Sequence, residues 1–238
     1  MDLGKLSRRQ FLGASGIVTL GLLAGCGAEE TLMPAATTEP VEFNADSAFQ
    51  LLKDGNARFV ANRTIDPNQD ANRRTTTAKG QKPFATIVGC VDSRVGPEVV
   101  FDRGIGDLLV VRTAGHVIDA VEIGSIEFGV AELGTPLVLV LGHEKCGAVN
   151  ATIESIESNT PAPDQIVSIV EHIRPAYDAV TATEQEPSDL LDAVVRENTK
   201  LTVAALKAAP LLAELEAAGK VRIIGGYYSL DSGIVEFF

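Results

Sequence analysis

Two short runs carry residues able to do metal chemistry: Cys90-Val91-Asp92-Ser93-Arg94 and Gly142-His143-Glu144-Lys145-Cys146-Gly147. Together they offer two thiols and one imidazole. Zinc accepts that set, and three protein ligands leave a fourth position open for water or substrate. Structural zinc sites close with four Cys or His ligands. The chain has three cysteines, and the third, Cys26, falls in an N-terminal signal. The domain that follows therefore cannot build a Cys₄ or Cys₃His site. Asp92 and Arg94 lie just past Cys90, an acid and a base able to pair by charge-assisted hydrogen bonds. Each residue also has a plainer reading. Free cysteines are often small buried hydrophobes, and a histidine after a strand is often a hydrogen-bonded core residue. A Cys90–Cys146 disulfide is a further reading in an oxidising compartment, but it leaves His143 and the Asp92/Arg94 pair without a role.

The elements around these residues place them at strand ends. Residues 84–89, 108–111, 136–141 and 221–224 are short apolar runs, three of them almost continuously so, as strands of a parallel sheet buried on both faces must be. Between the second and third, Ile123, Ile126, Val130 and Leu133 mark a helix that Gly134 can end. Helical patterns also cover 45–61, 146–157, 163–180 and 188–217, with breaks expected at Pro175 and Pro210, while 64–82 reads as a polar loop. Residues 234–238 can add an edge strand after the Asp231-Ser232-Gly233 turn. Strand–helix alternation gives an α/β domain with a mainly parallel sheet. Such sheets bind ligands at the carboxyl ends of strands, where strand order reverses. Cys90 follows the first strand and His143 the third.

Other candidates carry less. His116 is either a proton relay near the site or a plain loop histidine. His172, between Glu171 and Arg174, reads as part of a solvated helix face. Gly55-Asn56 and Gly104–Gly106 read as backbone turns, and no P-loop or dinucleotide fingerprint is present.

The net charge of −12 argues against nucleic acid as a partner, because phosphate binding needs clustered Lys and Arg. Hydrophobic residues make up 45% of the chain and aromatics 5%, with no Trp, so the core is built from Val, Leu, Ile and Ala. Residues 1–25 read as an export signal peptide: Lys5, Arg8 and Arg9 precede an uncharged run over 11–25, shorter than the roughly 20 apolar residues of a membrane span. Ser7-Arg8-Arg9-Gln10-Phe11-Leu12 resembles the twin-arginine motif, and Leu23-Ala24-Gly25-Cys26 resembles a lipobox whose cysteine is lipidated. Residues 26–43 then read as a lipidated Cys26 and a flexible tether, and 44–238 as the catalytic domain. The expected location is exported, periplasmic or cell-surface, anchored to the membrane through Cys26.

The CxDSR run followed about fifty residues later by HxxCG resembles the signature of the β-class carbonic anhydrases. Similar stretches include Asp102-Arg103, Gly106-Asp107-Leu108, Val111 to Gly115, Gly124 to Glu127, Gly225 to Tyr228 and Asp231 to Gly233, so the likeness covers about residues 45–238. The resemblance implies one Zn²⁺ per chain on Cys90, His143 and Cys146, with Asp92 and Arg94 as a dyad. While Arg94 holds Asp92 the metal's fourth site is free; when the pair breaks, Asp92 can itself become a ligand and close it. Ile87 stands where a regulated subclass often has Trp, which favours the open type. The implied activity is reversible hydration of CO₂ to bicarbonate and a proton by zinc-bound hydroxide. Alternatives are carbonyl sulfide or carbon disulfide hydrolysis on the same scaffold, or a non-catalytic zinc-binding lipoprotein. The implied fold is a parallel four-stranded core sheet in order 2-1-3-4 with an added edge strand, flanked by helices. The implied assembly is a homodimer or homotetramer with the N-terminal helix packed on its partner.

Overall fold

A computed structural model describes residues 42–183 and 187–238. The export signal, Cys26 and the tether up to residue 41 lie outside the described residues.

Strands β1 (Ala85–Cys90), β2 (Leu108–Thr113), β3 (Leu137–His143) and β4 (Arg222–Tyr228) pair in parallel. Strand β5 (Val235–Phe237) adds antiparallel to β4, giving the order β2-β1-β3-β4-β5. This is the expected α/β sheet. The unbroken apolar runs have their cause in its two covered faces. Ile87, Leu139 and Leu141 point into one layer with Phe101 and Leu52. Their neighbours Val88, Val138 and Val140 point into the other, with Ile126 and Leu206. Strands β1 and β3 are buried at every position, whereas β2, at the sheet edge, is half-buried along its whole length.

The first layer is carried by helix α1 (Ala45–Val60), which starts at a capping box between Asn44 and Ser47 and buries Ala48 and Leu52. Gly55 and Asn56 are not a turn; they lie inside α1. Gly55 is there because a Cβ would meet the carbonyl oxygen of Phe101 at 1.8 Å. Asn56 is buried, donating to the carbonyls of Val100 and Gly233 and accepting from the Val235 amide. The stretch 64–82 is likewise not all loop. Helix α2 (Ala71–Thr77) forms in it, capped by Asp70, which accepts from the Arg73 amide. It buries no residue, so no apolar periodicity announced it. Gly106 does sit in a turn, with φ +76°.

Helices α3 (Pro97–Val100), α4 (Ala120–Ala131), α5 (Gly147–Glu157), α6 (Ile166–Thr181), α7 (Leu190–Ala208) and α8 (Pro210–Ala217) complete the described fold. Gly134 takes the left-handed conformation just beyond α4. Pro210 separates α7 from α8 as expected, opening α8 in its first turn, where a missing N–H is harmless. Pro175 does not break α6. Pro175 and Glu171, whose carbonyl it leaves unpaired, are both exposed, so water can satisfy the freed acceptor. Among the described residues no helix is long and apolar enough to cross a membrane.

Candidate metal centre

The sheet order brings the ends of β1 and β3 side by side, with Gly89 opposite Leu141. From β1 the chain steps outward to β2, then returns across to β3, so this is the point where strand order reverses. Cys90 ends β1 and His143 ends β3. Lys145, in the left-handed conformation at φ +53°, turns the chain back so that Cys146 caps α5. One ligand atom from each of Cys90, His143 and Cys146 lies within 4.8 Å of the others, and all three residues are buried. Both cysteines are free thiols, so the disulfide reading is not realised.

The donor set suits a metal ion. His143 Nδ1 lies 2.9 Å from the Glu144 carbonyl, an acceptor, so Nδ1 carries a proton and Nε2 is the ring nitrogen left to serve as a ligand. That Nε2 is buried without a hydrogen-bond partner, as a ligand nitrogen awaiting a cation would be. The two sulfurs conflict in the absence of a cation. The Cys146 side chain, and after it His143 and the Gly115 amide, pull the Cys90 thiol well below its usual range despite burial. The ionised Cys90, then burial, push the Cys146 thiol far up. Two adjacent buried thiols cannot both ionise alone; a divalent cation between them removes the conflict.

The dyad lies at the rim. Arg94 donates to Asp92 through Nε at 2.9 Å and Nη2 at 2.7 Å, and its backbone N–H adds a third bond at 2.9 Å. Nη2 also reaches the Lys145 carbonyl at 3.2 Å, which ties the dyad to the turn before Cys146. The Arg94 bond holds the Asp92 carboxyl down to about 2, outweighing its partial burial. Asp92 Oδ2 stands 3.9 Å from His143 Nε2.

Several residues support this arrangement without being marked by the motifs. Arg112 donates to the carbonyls of Cys90 and Asp92, both at 2.7 Å, fixing the strand exit. The Gly115 amide donates to Cys90 Sγ at 3.3 Å. Glu144 accepts from Ser229 and from the Asp231 amide, and Lys145 pairs with Asp231, so the turn after β4 is tied to the loop between His143 and Cys146. Asn198, far away in sequence on α7, donates to Gly115 O and His116 Nε2.

His116 is not a plain loop histidine: it is fully buried. Burial lowers its pKa to about 4, so it stays neutral and has no solvent contact through which to relay a proton. His172 is exposed on α6, bonded to the Ser168 carbonyl, as expected.

A parallel α/β sheet that ends in a buried Cys/His/Cys cluster with an Asp–Arg pair at its rim defines a metal-dependent class of enzyme. Residues 85–235 match the family model for carbonic anhydrase. Carbonic anhydrase 2 of Mycobacterium tuberculosis is 43% identical over 191 residues, covering 80% of this chain and 91% of that protein. The carbonic anhydrase of Mycolicibacterium smegmatis is 41% identical over 194 residues, covering 81% and 93%. Among solved structures, a Coccomyxa β-carbonic anhydrase in complex with acetazolamide superposes with a TM-score of 0.63 at 26% identity, covering 69% of this chain and 75% of that one. One of two tetrameric β-carbonic anhydrases from Sordaria macrospora shares the fold, with a TM-score of 0.62 at 19% identity, covering 69% and 85%. The chain belongs to the carbonic anhydrase family, in its β class, and is an enzyme of that family.

Proposed function

We propose that this chain is an exported, zinc-dependent enzyme that interconverts CO₂ and bicarbonate, with Cys90, His143 and Cys146 holding the metal and Asp92 and Arg94 serving the reaction. The observation that carries the reading is the bare, buried Nε2 of His143 grouped with two thiols, beside an Asp92 kept ionised by Arg94. Bound zinc supplies Lewis-acid activation of water, as carbonic anhydrases with three imidazole ligands illustrate. Asp92 is acceptor-only when ionised. It takes a hydrogen bond from the attacking water and thereby aims an oxygen lone pair at the carbon of CO₂. Arg94 occupies both Asp92 oxygens in a fork, so the carboxylate is fixed in direction and kept away from the metal position. The intact pair, and Ile87 where a regulated subclass often has Trp, support an open site. The Arg94 side chain is 52% exposed, so solvent reaches the dyad and can accept the proton that the reaction releases.

The proposal extends to the whole chain: a signal peptide over 1–25, a lipidated Cys26 with a tether to 43, and the catalytic domain over 44–238. The order of charged start, uncharged run and lipobox supports it. Self-association as a dimer or tetramer is supported by the half-buried edge strand β2 beside α4, where Val121 and Phe128 are exposed. The test of the activity is a side-by-side assay of the purified chain on CO₂, carbonyl sulfide and carbon disulfide. Hydration of CO₂ as the dominant activity is expected. Turnover of a sulfur substrate alone would reassign the substrate on the same scaffold, and full zinc with no turnover would leave a zinc-binding lipoprotein.

A further inference from the structure

Asn198 is buried in the middle of α7, and its side-chain amide spends both hydrogens on one short turn. Nδ2 donates to Gly115 O at 2.9 Å and to His116 Nε2 at 3.0 Å. The orientation of the amide is fixed by chemistry: turned over, its oxygen would face the Gly115 carbonyl, acceptor against acceptor. Since Nδ2 only donates, His116 Nε2 is an acceptor and its ring is the neutral tautomer with the proton on Nδ1.

The turn that Asn198 holds is not one the chain would keep by itself. Gly115 and His116 take consecutive left-handed conformations, at φ +65° and +48°, and for histidine that is uncommon. Gly115 is also packed closely, since a Cβ there would meet Ile173 Cδ1 at 2.7 Å. The product of this geometry is a single backbone bond, from the Gly115 amide to Cys90 Sγ at 3.3 Å. Helix α7 also approaches the sheet closely beside His116: at Gly142 a Cβ would meet Thr199 Oγ1 at 2.4 Å and Val195 Cγ1 at 3.1 Å.

We propose that Asn198 is a positioning residue for the metal centre: it locks the Gly115–His116 turn so that the Gly115 N–H is aimed at the Cys90 sulfur and sets that thiolate's strength as a donor. This rests on the reading of Cys90 as a metal ligand. An N–H bonded to a thiolate withdraws charge from the sulfur. Loss of the bond therefore leaves sulfur more electron-rich and less well aimed. Outer-shell partners of this kind typically alter metal affinity by about 10–100-fold when removed.

The test uses the full chain loaded with cobalt(II), whose sulfur-to-metal charge-transfer band reports the thiolate directly. The wild type is read first. Failure to take up about one cobalt per chain would remove the metal-site reading itself, before any variant is made. With metal bound, Asn198→Ala and Asn198→Leu are compared with Leu206→Ala, a core truncation towards the far end of the same helix, in an apolar cluster separate from that of Cys90 and Cys146. The expected result is a shift of the band to longer wavelength and about 10–100-fold weaker zinc retention against a chelator in both Asn198 variants, with neither change in Leu206→Ala. An unmoved band in metal-loaded Asn198 variants would overturn the proposal, as would an equal shift in Leu206→Ala. If neither Asn198 variant folds, the wild type loaded with cadmium-113 decides. A scalar coupling between the metal and the Gly115 amide proton would support the aimed N–H···S bond, and its absence would overturn it.

Discussion

Arg94 holds Asp92 through two parallel bonds, Nε to Oδ1 at 2.9 Å and Nη2 to Oδ2 at 2.7 Å, while Oδ2 stands 3.9 Å from His143 Nε2. The carboxylate is thus close to the Cys90/His143/Cys146 group but engaged elsewhere. Its depressed pKa, about 2, means that the pairing is fully present above the ordinary carboxylate range and is lost only as pH falls through about 2. Protonation of Asp92 therefore does not break the dyad at any pH at which the enzyme would be assayed.

Removing the guanidinium frees Asp92 to turn. Arg94→Ala is expected to lower kcat/KM for CO₂ hydration by about 100-fold, the usual result of a misplaced group at the reacting centre. Arg94→Lys should recover only part of this, because an ammonium cannot make the two-point fork. Stopped-flow hydration with a pH indicator measures both. Wild-type rates in Arg94→Ala would remove the dyad from the mechanism.

His116 predicts an acid instability. Burial lowers its pKa from 6.5 to about 4, so below 6.5 the unfolded chain binds a proton that the folded chain refuses. Its contribution to stability is complete above pH 6.5 and is lost as pH falls towards 4, by roughly 3 kcal/mol at about 1.4 kcal/mol per pKa unit. His116→Asn suits the left-handed backbone and does not titrate. Urea unfolding of both proteins at pH 7 and pH 4.5 should show a smaller loss in the variant, and parallel losses would contradict the assignment.

Gly55→Ala is expected to be strongly destabilising. The added methyl would meet the Phe101 backbone oxygen at 1.8 Å and its carbon at 2.7 Å. Backbone cannot swing aside as a side chain can, so the penalty should reach or exceed the 1–3 kcal/mol typical of overpacking, about 3 kcal/mol or more. An exposed alanine substitution in the same helix, at Gln50, serves as the comparison in thermal melts. Equal melting temperatures for the two would show that α1 does not press on Phe101 as described.

What the sequence revealed and what it hid divide along physical lines. Strands β1 and β3 were legible because burial on both faces keeps them almost continuously apolar, and the Cys90/His143/Cys146 group because few residue types can gather around a metal ion. Helix α2 was not legible: it buries nothing, and its signal is the Asp70 cap and three threonines, each donating to a carbonyl three or four residues back. Gly55-Asn56 has the composition of a turn, but its glycine answers to a tertiary contact 46 positions away at Phe101. Pro175 looked like a helix break because the sequence does not show that Pro175 and Glu171 lie on the exposed side of α6. Asn198 was invisible as part of the site, since only the fold brings α7 over the turn after β2.

The proposed export and anchoring of the chain predict a simple fractionation result. Expressed with its leader in a bacterium that processes lipoproteins, the chain should be found in the membrane fraction and should incorporate labelled fatty acid. Cys26→Ser should abolish the label. Labelling that persists in Cys26→Ser, or wild-type chain found unlabelled in the soluble fraction, would overturn the anchor.

The most direct test of the central claim is CO₂ hydration by the purified protein at pH 7 and pH 8.5, with zinc measured on the same sample. The open arrangement of Asp92 and Arg94 predicts about one zinc per chain and activity at both pH values. Activity confined to pH 8.5 would show that Asp92 closes the site at neutral pH, and full zinc with no hydration at either pH would contradict the assignment of this site to CO₂.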